Sequence, residues 1–129
     1  NLSSSKFGAV WSTTGDVNNF ISLAYNPFSN SGLYVRYNGI VQASSVNFNN
    51  NYQVGNNWIH IGSYNTNSFV DSINGNLTYT SSGLLPSANS LYIGSSLPAP
   101  SVYGSMYIKS LIYYPLQLSN TQIQTLTTP

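Results

Sequence analysis

Short apolar runs recur along the whole chain at intervals of about ten residues, a spacing that predicts an all-β sandwich or barrel. The runs are "KFGAVW" (6–11), "NFISLAY" (19–25), "GLYVRY" (32–37), "SSVNF" (44–48), "NWIHIGSY" (57–64), "FVDSI" (69–73), "NLTYTS" (76–81), "SLYIGS" (90–95) and "MYIKSLIYYP" (106–115). Between them stand clusters such as "YNPFSNSG" (25–32), "NNNYQVGNN" (49–57), "LPSAN" (85–89) and "LPAPS" (97–101). Asn74-Gly75 between two such runs is the strongest local hairpin signal, because a type I′ turn needs positive φ at both central residues. Asn38-Gly39 is the second. Pro115 is expected to end the last strand, since proline donates nothing to a ladder.

Alternation inside the runs assigns faces. Leu33, Val35 and Tyr37 share one face of "LYVRY", and Tyr34 and Arg36 share the other. In "WIHIG", Ile59 and Ile61 point one way and Trp58 and His60 the other. The aliphatic sets are expected to face the core, leaving Arg36, Trp58 and His60 on the opposite faces. The final segment changes period. Ser119-Asn-Thr-Gln122 has the form of a capping box, and Leu118 can staple Ile123. A short helix over 119–126 is expected, docked by Leu118, Ile123 and Leu126.

Composition narrows the function classes. The chain has 129 residues, which predicts one domain with a sizeable core. Only 4% of its residues are charged, namely Lys6, Lys109, Arg36, Asp16 and Asp71. With 14% aromatic residues it does not read as disordered. Three cations cannot supply the several phosphate contacts of nucleic-acid binding, nor a polybasic patch for a membrane. No apolar run reaches the length needed to span a bilayer. There is no cysteine, so the redox compartment is not legible. The first residue is Asn1 rather than methionine and no secretory leader is evident, so the chain is expected to be a piece of a larger protein. A neutral surface of hydroxyls, amides and eleven tyrosines remains, whose contacts should depend little on salt.

Catalytic constellations are poorly supplied. Glycosidases use a carboxylate pair, and only Asp16 and Asp71 exist. Asp16 is expected in a turn. A Ser/His/Asp arrangement could recruit only His60, without a nucleophile elbow; otherwise His60 is a half-buried strand residue with one hydrogen bond. One histidine and two aspartates cannot build a zinc site. Calcium is better served, with Asp16, Asn18 and Asn19 as the only local cluster, although the same residues suit an Asx-turn. No cofactor is expected. Two sequons, Asn1-Leu-Ser3 and Asn76-Leu-Thr78, are what chance provides in so Asn- and Ser-rich a chain.

Binding chemistry is better supplied. Aromatic faces cover the apolar side of a sugar, while guanidinium and amide groups bond its hydroxyls. The candidates are Arg36, Tyr34, Trp58, His60 and Tyr64, with Trp11 more in keeping with a core role. Arg36 leads, as the only arginine and a neighbour of Tyr34 on a non-core face.

The second half resembles a known family. "NNWIHIGSY", "VDSINGN", "LYIGSS" and "IKSLIYYPLQLSNTQIQTLT" follow one another in the order seen in the laminin G-like branch of the concanavalin A-like lectin/glucanase superfamily. The resemblance covers roughly residues 57–127. The ending is similar to versions found in bacteriophage tail fibre, tailspike or host-recognition proteins. Met106 stands where such sequences often have glycine, and the superfamily's paired catalytic glutamates have no counterpart. The resemblance implies a single jelly-roll β-sandwich domain of two antiparallel sheets. It also implies a virion-surface or extracellular setting and a non-catalytic module that binds a cell-surface glycan, multivalently in a homotrimer. The same fold hosts structural and oligomerisation modules, which are the alternative, and hydrolases, a third.

Overall fold

The computed structural model describes residues 8–25, 32–44, 57–80, 82–88, 90–94 and 107–129. Within them lie β1 (Gly8–Asp16), β2 (Asn19–Tyr25), β3 (Gly32–Tyr37), β4 (Ile40–Ser44), β5 (His60–Asn65), β6 (Ser68–Ile73), β7 (Asn76–Thr80), β8 (Leu91–Ile93) and α1 (Asn120–Thr127). A five-stranded sheet has the order β4-β3-β2-β1-β8, and a three-stranded sheet has the order β5-β6-β7. Every pairing is antiparallel. The chain is therefore an all-β sandwich with one short C-terminal helix, as its pattern predicts.

Both Asn-Gly signals form the turns they promise. Asn38 and Gly39 have φ of 48° and 77°, and Asn74 and Gly75 have 47° and 81°. Positive φ at both central residues suits the right-handed twist of the strands they join. These turns fix the register of β3 against β4 and of β6 against β7. The strand after Asn38-Gly39 thus starts at Ile40, earlier than the expected 44–48 run. Of that run only Ser44 lies among the described residues. Asp16, expected in a turn, is the last residue of β1, beside a register shift between Thr14 and Asp16.

The sheets meet over Ile21, Leu23, Leu33, Val35 and Ala43 from one side and Phe69 from the other, with Tyr64 and Leu85 packed against them. Leu33 and Val35 point inward as expected. The expectation for β5 is reversed. A Cβ placed on Gly62 would lie 2.5 Å from Leu23 Cδ2, so Gly62 faces the other sheet. His60 and Tyr64 share its parity and also face inward, while Ile61 and Ser63 take the opposite face. Phe69 to Ile73 are all buried, because β6 is covered on both faces. Sheet packs on one side and α1 packs on the other.

The helix is capped as predicted. Ser119 Oγ accepts from the Gln122 N–H at 3.3 Å, and Gln122 Oε1 accepts from the Ser119 N–H at 2.9 Å. Its docking face differs from the expectation. Ile123 is buried, Leu126 is exposed, and Thr127, four residues after Ile123, takes the buried place. The Thr127 hydroxyl donates to the Ile123 carbonyl at 3.0 Å. That leaves its oxygen to accept from Ser72 Oγ at 2.7 Å and from the Gly75 N–H at 3.2 Å. Gln124 Nε2 donates to the Gly75 carbonyl at 3.1 Å, so α1 fastens the β6–β7 hairpin. Among the described residues, none of 107–116 joins a ladder, so the strand expected at 106–115 is not formed there. Gln117 Nε2 binds Ser68 Oγ at 2.9 Å and turns the chain behind β6, just past a proline with no N–H.

Gly62→Ala should lower stability by about 1–3 kcal/mol, because the new methyl meets a Leu23 side chain held in a packed core. The midpoint of chemical unfolding measures this; an unchanged midpoint would mean that Leu23 rotates away freely.

Candidate functional site

With Leu33 and Val35 committed to the core, β3 must present Tyr34 and Arg36 on the outer face of the five-stranded sheet. Register places Phe20 opposite Arg36 and Ser22 opposite Tyr34. Phe20 and Tyr34 are therefore diagonal neighbours, and their rings stack with centroids 5.5 Å apart at an interplanar angle of 18°. Arg36 Nε donates to the Gly39 carbonyl at 2.9 Å, which holds the guanidinium against the hairpin turn. No described residue takes its terminal amino groups. The outcome is a two-ring apolar platform beside a fixed fork of donors, and β3, which carries Tyr34 and Arg36, is paired on both sides.

The adjoining turn is braced. Asn19 Oδ1 accepts from the Asn38 N–H at 2.9 Å, and the Asn18 carbonyl accepts from the Gly39 N–H at 3.0 Å. These oxygens belong to the Asp16, Asn18 and Asn19 cluster considered for calcium, and each already serves a backbone donor. Among the described residues no three His, Cys, Asp or Glu side chains come together. No described helix is long and apolar enough to cross a membrane.

The remaining candidates lie elsewhere. His60 and Asp71 form a pair between the sheets, with side chains only 3% and 2% exposed. An ionised carboxylate only accepts, so His60 Nε2 is assigned the hydrogen it donates to Asp71 Oδ1 at 2.6 Å. Asp71 Oδ2 accepts from the Leu33 N–H of the opposite sheet at 3.1 Å. His60 is thus a buried connector, which corrects its assignment to a ligand face. Trp58, just ahead of β5, is half-buried and sits over His60 with ring centroids 6.0 Å apart. Tyr64 packs on the core. Burial raises its pKa above the usual 10.0, and the nearby Tyr113 adds to the effect. The five candidates therefore do not share one surface: Tyr34 and Arg36 stay together, while His60 and Tyr64 turn inward. The Trp11 side chain is outside the described part of the structure.

Phe20 was missed by the sequence reading. Its alternation with Ile21 carried the signal, but its apposition to Tyr34 depends on strand register. Asp71 was noted only as a carboxylate, and its partner His60 lies 11 residues away on the neighbouring strand.

No family model matches the chain, and no curated protein matches it. Among solved structures it is similar to an S-layer domain-containing protein (residues 221–444) from Clostridium thermocellum ATCC 27405. The identity is 17% and the TM-score 0.49, over 98% of this chain and 65% of that one. The chain thus spans less than two thirds of that structure, and a likeness so distant transfers no function.

Asp71→Ala should destabilise the fold by about 3–5 kcal/mol, since it leaves His60 and the Leu33 N–H without their acceptor. Denaturant titration measures this, and a loss below 1 kcal/mol would mean that water replaces the carboxylate. The raised Tyr64 value sets a pH window. The folded state holds the phenol proton more tightly than the unfolded chain, so this contribution is intact below pH 10.0 and lost as pH rises through the folded-state value. Tyr64→Phe should therefore reduce the alkaline fall in melting temperature; an identical fall in both proteins would assign it to other groups.

Proposed function

We propose that the chain is a non-catalytic carbohydrate-binding module of a phage-like tail fibre or spike, displayed at a virion surface or otherwise outside the cell. The Phe20–Tyr34 stack beside the tethered Arg36 is the observation that carries this reading. A pyranose is apolar on its axial C–H face and ringed by hydroxyls. The platform covers the first, and the guanidinium, already fixed through Nε, offers donors to the second. Because its orientation is set before binding, less side-chain freedom is lost on contact. With two anions and three cations in the chain, a neutral glycan suits this surface better than a charged polymer. The resemblance of the closing segment to host-recognition proteins supports the same reading. A hydrolytic role for Asp71 would need substrate to reach a carboxylate that is 2% exposed, which favours binding over catalysis.

A glycan array probed with the folded chain, followed by calorimetry on any hit, tests the proposal. Tyr34→Ala and Arg36→Ala should each weaken binding about tenfold, or about 1.4 kcal/mol, with little change in melting temperature. Affinity should change little between low and physiological salt. An array on which the folded protein retains no glycan would overturn the reading in favour of a structural module.

A further inference from the structure

Residues 107–116 form a short apolar run of the kind that reads as a strand, yet none of them joins a described ladder. They lead directly into α1, which is firmly docked. Their side chains are open: Tyr107 is 97% exposed, Ile112 67%, Tyr113 79% and Leu116 80%. We infer that this segment is the interface between two copies of the chain, formed by antiparallel pairing of 107–114 with the same segment of a second copy. Area, backbone and charge each support that occupant.

At about 200 Å² per tyrosine, Tyr107 and Tyr113 alone present roughly 350 Å². Ile108, Leu111, Ile112, Tyr114 and Leu116 bring the surface towards the roughly 800 Å² per partner of a stable interface. A monomer seldom leaves so much apolar surface in one stretch. Among the described residues none pairs with the backbone N–H and C=O groups of this segment, which supply a template for strand addition. Apolar residues occupy both parities, Tyr107, Leu111 and Tyr113 on one and Ile108, Ile112 and Tyr114 on the other, as suits a strand covered on both sides. The only charge is Lys109, and a strongly charged partner would bury groups without counterions. A second copy is nearly uncharged and carries the complementary segment itself, which gives a closed isologous pair. The net charge of +1 opposes such association very little. The inference does not rest on the glycan reading, since Tyr34 and Arg36 lie on β3 and are not part of this segment.

Sedimentation of the chain over a concentration series, with hydrogen exchange at 107–114, tests it. The expected result is a monomer–dimer equilibrium in which these amides are protected only in the dimer. Ile112→Lys and, independently, Tyr107→Lys should each shift the midpoint about a hundredfold to higher concentration. Both variants should melt as the parent monomer does, because neither side chain packs in the fold. A chain that stays monomeric at all accessible concentrations would overturn the inference. So would a dimer indifferent to both variants, or amides protected in the monomer, which would show that the segment pairs within its own chain.

Discussion

The architecture depends on the Asp71 carboxylate. One oxygen takes the His60 hydrogen within its own sheet, and the other takes the Leu33 N–H of the opposite sheet. Two polar requirements deep in the sandwich are thereby met by a single side chain. A carboxylate in such a place is tolerable only with its oxygens satisfied, and each bond it makes is stronger for the absence of water. The hydrophobic contact around Leu23, Val35 and Phe69 supplies most of the attraction between the sheets, but it is non-directional. The Asp71–Leu33 bond adds direction and sets β6 against β3 in one relative position.

Other features follow from that placement. Once Asp71 faces inward, so do its strand companions Phe69 and Ile73, and Val70 and Ser72 must be covered from behind. The helix does this with Ile123 and Thr127, and its last turn holds the Gly75 backbone through Thr127 and Gln124. Residues 82–88 tie one end of the sandwich, with Gly83 and Asn67 exchanging backbone and side-chain bonds and Leu84 donating to Gln42. Gly83 has φ of +145°, and a Cβ there would meet Phe69 at 2.8 Å, so close approach and backbone shape both call for glycine. The outer face of the five-stranded sheet is left out of this bracing. There the sheet positions the Phe20 and Tyr34 rings, and the Arg36 terminal amino groups meet no described residue, a division of labour that suits binding on a rigid support.

What was legible in the sequence was local. The Asn-Gly hairpins, the Ser119 capping box and the inward Leu33–Val35 pair each depend on a few neighbouring residues, and all appear as read. Tyr34 and Arg36 could be placed together because residues two apart in one strand share a face. Trp58, His60 and Tyr64 could not be joined to them, because no short-range pattern relates one sheet to another. Leu126 was expected to dock because it is apolar and lies three residues after Ile123. Thr127 occupies the buried place because its hydroxyl makes three bonds that leucine could not.

The sequence by itself determined the all-β class, the two tight hairpins, the capped helix and a surface nearly free of charge. These follow from turn stereochemistry, side-chain period and composition, which act over a few residues or as an average. The tertiary structure decided which face of β5 looks inward. A period of two defines two faces equally, and only the second sheet and the helix break that symmetry. It also decided that His60 and Asp71 are internal connectors rather than chemistry at a surface. That outcome rests on a bond between residues 38 apart in sequence, brought into reach only when the sheets pack.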